Sequence, residues 1–136
     1  MTDTPARSNP PWLMRALAYL CLTTLVVGVA RDLFYEPTRN VEVWFGFEIY
    51  GTPAMLTAPI HWAIFAAGAY GFWNARPWAL PAAAGYELYA ALAHLVWSEA
   101  SPNGRGWQIG LIQAAALTCV AVFLWRARVR SPSASR

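Results

Sequence analysis

Apolar residues run almost unbroken through four stretches of the chain, 12–30, 52–73, 78–98 and 107–125, each edged by tryptophan. A bilayer core of about 30 Å takes about 20 residues of helix. The pattern therefore predicts an all-α fold, an integral membrane four-helix bundle with four transmembrane helices and a long outer loop between the first and second. One domain over 12–130 accounts for these stretches. The polar, proline-containing tails 1–11 and 131–136 are expected to be disordered and cytoplasmic. The first apolar stretch is longer than a signal-peptide core, and no small-residue cleavage pattern follows it closely, so no cleavable leader is expected.

The connections differ in kind. Short polar turns join the second helix to the third around Asn74–Pro77, and the third to the fourth around Ser101-Pro102-Asn103-Gly104. The first connection spans 31–51, and loops longer than about 12–15 residues without structure of their own are uncommon and often functional. Within it, Val41, Val43, Phe45, Phe47 and Ile49 alternate with Glu42, Trp44, Gly46, Glu48 and Tyr50. Period two predicts a strand or extended lid, its apolar side on the bundle and its acidic side toward water. An interfacial segment that only caps the helix ends would show the same amphipathic pattern. Pro59 either kinks a long second helix or sits near its start with Thr57 as cap.

Composition agrees with lipid as solvent: 57% of residues are hydrophobic and 12% charged, against about 25% charged in soluble domains. All ten basic residues are arginine and the net charge is +3. Position assigns that charge to topology. Arg7, Arg15, Arg76, Arg126, Arg128, Arg130 and Arg136 fall on one side, and Arg31, Arg39 and Arg105 on the other, beside Asp32, Glu36, Glu42, Glu48 and Glu99. The positive-inside rule then puts both termini in the cytoplasm, in a bacterial-type inner membrane. Trp12, Trp73, Trp78 and Trp125 mark the inner interface and Trp97 and Trp107 the outer one, with Trp62 alone well inside a span. No nucleic-acid module is legible. Cys21 and Cys119 form no metal or redox motif and read as small apolar residues.

Small residues recur at helical spacing: Thr24 and Gly28, then Ala63, Ala67 and Gly71, then Ala83, Ala84, Ala90 and Ala91. Such faces suit close helix contact within the bundle, a homo-oligomer or a partner membrane subunit. Ionisable groups inside a span are costly and mark functional candidates. They are His61, Glu87 and His94, with Glu87 and His94 two turns apart on one face. Tyr86, Tyr89 and Gln113 are placed to extend a hydrogen-bond network, and Glu48 to reach the outer mouth. The expected ligand-binding set is His61, Glu87, His94, Tyr89 and Glu48. Glu87 would carry a proton, anchor a cationic or hydroxyl-bearing ligand, or donate to a neighbouring helix. His61 and His94, at comparable depth on adjacent helices, would alternatively hold haem iron or another metal. Adjacent Arg31 and Asp32 read as a solvated interfacial pair.

Arg31-Asp32-Leu33 after the first helix, and the Trp78…Pro81…Tyr86 spacing that opens the third, resemble the EXPERA-type membrane proteins. That resemblance implies four helices, a long first outer connection and a polar cavity binding or isomerising sterol-like lipids. The acidic residue such families place in helix two has no counterpart here, His61 being the nearest polar group. Nucleophile elbows and phosphate-binding glycine loops are absent from the sequence. The expected role is therefore a non-enzymatic accessory or binding protein, holding an amphipathic ligand or a partner subunit. The alternatives are a sterol-type cavity and a haem protein.

Overall fold

A computed structural model describes residues 12–34 and 41–129. Helix α1 (Trp12–Phe34) leads to a hairpin of β1 (Val41–Trp44) and β2 (Phe47–Tyr50). Helices α2 (Thr52–Trp73), α3 (Ala79–Ala100) and α4 (Trp107–Val129) follow. The fold is all-α with four helices, as the hydrophobic runs predicted. The expected tails 1–11 and 131–136 lie outside the described residues.

Two of the four helices, Trp12–Phe34 and Trp107–Arg128, are long and apolar enough to cross a membrane, with mean hydropathy 1.9 and 1.8. Helices α2 and α3 are as long, at 22 residues each. They carry Pro53, Pro59 and His61, or Glu87 and His94, which lowers their hydropathy. The expectation of four equivalent spans is thus met by two helices on length and hydropathy together.

Large apolar side chains are exposed on every helix, among them Leu20 and Val27 on α1, Leu56 on α2, Leu92 on α3, and Ile112 and Phe123 on α4. A helix apolar all round needs an apolar surrounding on all sides. The buried core is small and lies at one end, where Met14, Ala18, Phe72, Leu80, Ala84 and Leu124 meet from all four helices. Helix α1 packs along α2 and α3 along α4, while the two pairs touch sparsely elsewhere. They are fastened at the Trp73–Trp78 end and leave a cavity at the other, under the hairpin.

Helix α2 is continuous through Pro59 and begins at Thr52, so the long-helix alternative holds. Thr57 does not cap it; its hydroxyl donates to the Pro53 and Ala54 carbonyls at 3.0 and 3.1 Å. Helix α1 runs to Phe34 rather than Ala30, which brings Arg31 and Asp32 into its last turn.

The 41–50 segment folds back on itself. Val41 pairs with Tyr50, Glu42 with Ile49, Val43 with Glu48 and Trp44 with Phe47, around Phe45-Gly46. Both turn residues have positive φ, 55° and 90°, the requirement of a type I′ hairpin. Gly46 is needed twice over. A Cβ there would lie 2.4 Å from Val96 Cβ and 2.9 Å from the Ala93 carbonyl, so the tip sits directly on α3.

This turn corrects the single extended lid expected from period two. Reversal puts Glu42 and Trp44 on one face with Ile49 and Phe47, and Val43 on the other with Glu48. The two acids therefore face opposite ways: Glu42 is buried, Glu48 stays partly exposed, and both reach donors on neighbouring elements.

Candidate functional site

The cavity has a volume of about 400 Å³ and is walled by α1, α2, α3 and β1, with α4 taking no part. Ligand pockets commonly measure about 300–1,000 Å³. Its walls are mostly apolar and aromatic, including Leu25, Phe65, Tyr86 and Ala90. Charge is gathered at the hairpin end.

There, Glu42 of β1 and Asp32 of α1 are buried, each side chain only 7% exposed. Both pair with Arg31, whose guanidinium meets Asp32 at 2.6 Å and also bonds Glu42. The other Glu42 oxygen lies 2.5 Å from His61 Nδ1. The other Asp32 oxygen accepts from Trp62 Nε1 at 2.8 Å. The indole of Trp44 stacks flat on the His61 imidazole, with centroids 4.2 Å apart. Every partner except Trp44 lines the cavity. A carboxylate in low dielectric is tolerable only with such partners. This overturns the reading of Arg31 and Asp32 as a solvated pair: helix α1 continues past them and turns Asp32 inward against Trp62.

Glu48 fastens the second strand. It accepts from Trp97 Nε1 at 2.6 Å, Ser101 Oγ at 2.7 Å and Asn103 Nδ2 at 3.3 Å, and Tyr50 also donates to it. The Ser101 hydroxyl, then the Trp97 indole, and least of all Asn103, hold its carboxyl below the usual glutamate value, against an opposing effect of burial. A depressed folded value means stability present above the unfolded value and lost as pH falls through the folded one. We expect Glu48→Gln to lower the melting temperature at neutral pH. The gap from the native chain should close as pH drops below about 4.3. A gap that stays constant across pH 3–6 would refute the role.

The tip is held by Tyr89. Phe45 N–H donates to its hydroxyl at 3.1 Å, and the two rings meet edge to face at 5.4 Å.

Four of the five expected site residues therefore meet this cavity or its lid. His61, His94 and Tyr89 line it, and Glu48 anchors the hairpin above. Glu87 is the exception. It lies about 100° around α3 from Tyr86 and does not line the cavity, so the three intramembrane groups do not converge as a trio. His94 lies at the cavity margin, exposed, its ring edge-on to Trp97 at 6.5 Å. Gln113 does not join the network; it accepts from Ser98 at 3.3 Å between α3 and α4.

Thr24 and Gly28 also differ from expectation. They line the cavity rather than a helix contact, and a Cβ on Gly28 would meet nothing within 4 Å. Gly71 does serve close packing, against the Trp78 ring. Cys21 and Cys119 are free thiols.

Sequence reasoning missed Arg31, Asp32, Glu42 and Trp62 as site residues. A signal was present: Trp62 was the one tryptophan deep in a span, and such an indole needs an acceptor. Among the described residues, no group of three or more His, Cys, Asp or Glu is arranged to hold a metal ion.

No protein-family model, curated protein or solved structure matches this chain.

Proposed function

We propose that this chain is a small integral protein of a bacterial-type inner membrane, crossing it four times with both termini cytoplasmic. In this reading it is a non-enzymatic binding protein whose outer-end cavity holds an amphipathic ligand. Helices of 22 or 23 residues are about 33 Å long at 1.5 Å per residue, enough for a bilayer core. Apolar side chains exposed on all four favour lipid around all four. His61, Tyr86, Tyr89 and His94 turn toward the cavity, which reconciles part of the lower hydropathy of α2 and α3 with a span, while Glu87 stays off its wall.

The observation that carries the binding role is the cavity of about 400 Å³, apolar along its body and charged under the hairpin. A ligand with a hydrocarbon body along Leu25, Phe65 and Ala90 and a polar head at Glu42 and His61 matches that gradient. A sterol-like lipid is one such molecule. A partner subunit would instead use an outer face, and would leave this interior unexplained.

Native mass spectrometry of the protein, taken gently from its own membrane, tests the reading. A discrete small-molecule adduct is expected on the native chain. Gly28→Leu should abolish that adduct while leaving the melting temperature equal or higher. Leucine fills open space there and is a better helix former than glycine by about 0.8 kcal/mol. An unliganded native chain, or an adduct that survives Gly28→Leu, would sink the cavity as a binding site.

A further inference from the structure

A second concavity lies at the opposite end, on the outside of the α1–α2 pair. It has a volume of about 250 Å³ and is formed by Ala18, Tyr19 and Leu22 of α1 with Ala69, Tyr70 and Trp73 of α2. Two alanines make room between aromatic rims. Tyr19 and Trp73 meet edge to face at 5.6 Å, and both are more than half exposed. The Arg76 guanidinium donates to the Tyr70 hydroxyl at 2.8 Å and stands 5.5 Å from the Tyr70 ring centroid. Arg15 lies one turn before Tyr19 on α1.

Charge at this end has one sign. Among the described residues, Arg15, Arg76, Arg126 and Arg128 cluster here, while Asp32, Glu42, Glu48 and Glu99 lie at the hairpin end and Glu87 between. An apolar furrow with a guanidinium at its rim presents an acyl-chain path and an anion site in the right order for a lipid. A neutral zwitterionic lipid would gain the furrow but less from the arginine. Basic pockets at helix ends on the cytoplasmic side are suited to acidic head groups.

We infer that the α1–α2 furrow is a binding site for an anionic phospholipid of the inner leaflet, its chain along Leu22 and Ala69 and its phosphate at Arg76. The inference rests on the membrane reading above and is independent of the ligand cavity.

The test places the full chain in nanodiscs of phosphatidylglycerol and phosphatidylcholine in equal parts, with native mass spectrometry of what stays bound. One phosphatidylglycerol should remain at activation that strips phosphatidylcholine. Arg76→Gln should cut its retention about fivefold. Ala69→Leu, which narrows the furrow without touching charge, should cut it as well. Arg128→Gln is the control: it makes the same charge change at the same end, but its guanidinium sits over Trp125 at 5.0 Å. It should leave retention unchanged. Equal retention of both lipids, or equal losses for Arg76→Gln and Arg128→Gln, would overturn the site while leaving the membrane reading intact. Failure of the native chain to enter the nanodisc would overturn both.

Discussion

Arg31→Met is expected to cost about 3 kcal/mol of unfolding free energy, the low end of what breaking a buried ion pair costs. Asp32 and Glu42 are each 7% exposed, whereas Arg31 is 47% exposed. Removing the guanidinium thus strands two carboxylates that remain inside. Trp62 and His61 still donate to them, which keeps the loss at the low end. Methionine preserves much of the aliphatic stem, so the change reports charge more than packing. The second half of the test is a rescue. Arg31→Met combined with Glu42→Gln removes one of the stranded charges and should recover part of the loss. Chemical unfolding in detergent micelles measures both. A loss below about 1 kcal/mol, the scale of an exposed ion pair, would mean that the roof of the cavity is wet.

Gly46→Val is expected to release the hairpin while leaving the four helices in place. Valine is β-branched and strained at φ 90°. Its Cβ would also enter the space of Val96 and the Ala93 carbonyl. Strain at such a position costs on the order of 1–3 kcal/mol. That corresponds to about 5- to 150-fold faster protease cleavage within 41–50 if cleavage follows opening. Helical circular dichroism should be unchanged, because the core that joins the helices lies at the far end. The ligand adduct should weaken together with hairpin protection. Native-like protection of 41–50 would show that the tip does not depend on its seat against α3.

Arg31→Met probes one strand's fastening and Gly46→Val the seat of the tip on α3, and the strands themselves are tied separately. Glu42 ties β1 to α1 and α2 through Arg31 and His61, while Glu48 ties β2 to α3 and the turn after it. That division follows from the hairpin register, and the strand alternation alone pointed the other way. Period two assigns faces correctly within a straight strand. A two-residue turn of positive φ reverses the chain, and the face assignment after the turn changes with it. Phe45-Gly46 is a poor advertisement for such a turn, since phenylalanine seldom takes φ 55°. Its ring and N–H are held there by Tyr89, a partner 44 residues away.

Glu87 and Asp32 show the same limit from two sides. Both are acids at helical positions, and sequence favoured Glu87 because it lies deeper in an apolar run. Rotation about the helix decided otherwise, turning Asp32 onto Trp62 and leaving Glu87 off the cavity wall. Gly28 belongs with them. Its spacing from Thr24 fits close helix packing, yet the neighbouring helix pair diverges there and leaves the glycine facing open space.

The number and order of the four helices were determined by the sequence itself. Runs of apolar residues, broken by Asn74–Pro77 and by Ser101–Gly106, separate the helices through local chemistry that needs no distant partner. The bias of arginine toward one end, seven against three, was equally local in origin. Only the tertiary structure decided which polar groups meet. Helices apolar on every side carry no stripe that fixes their rotation, so the facing of His61, Asp32 and Glu87 depends on packing across the bundle. The cavity exists for the same reason: the two helix pairs share a core at one end and are held apart at the other, where Glu42 and Glu48 bring the hairpin down between them.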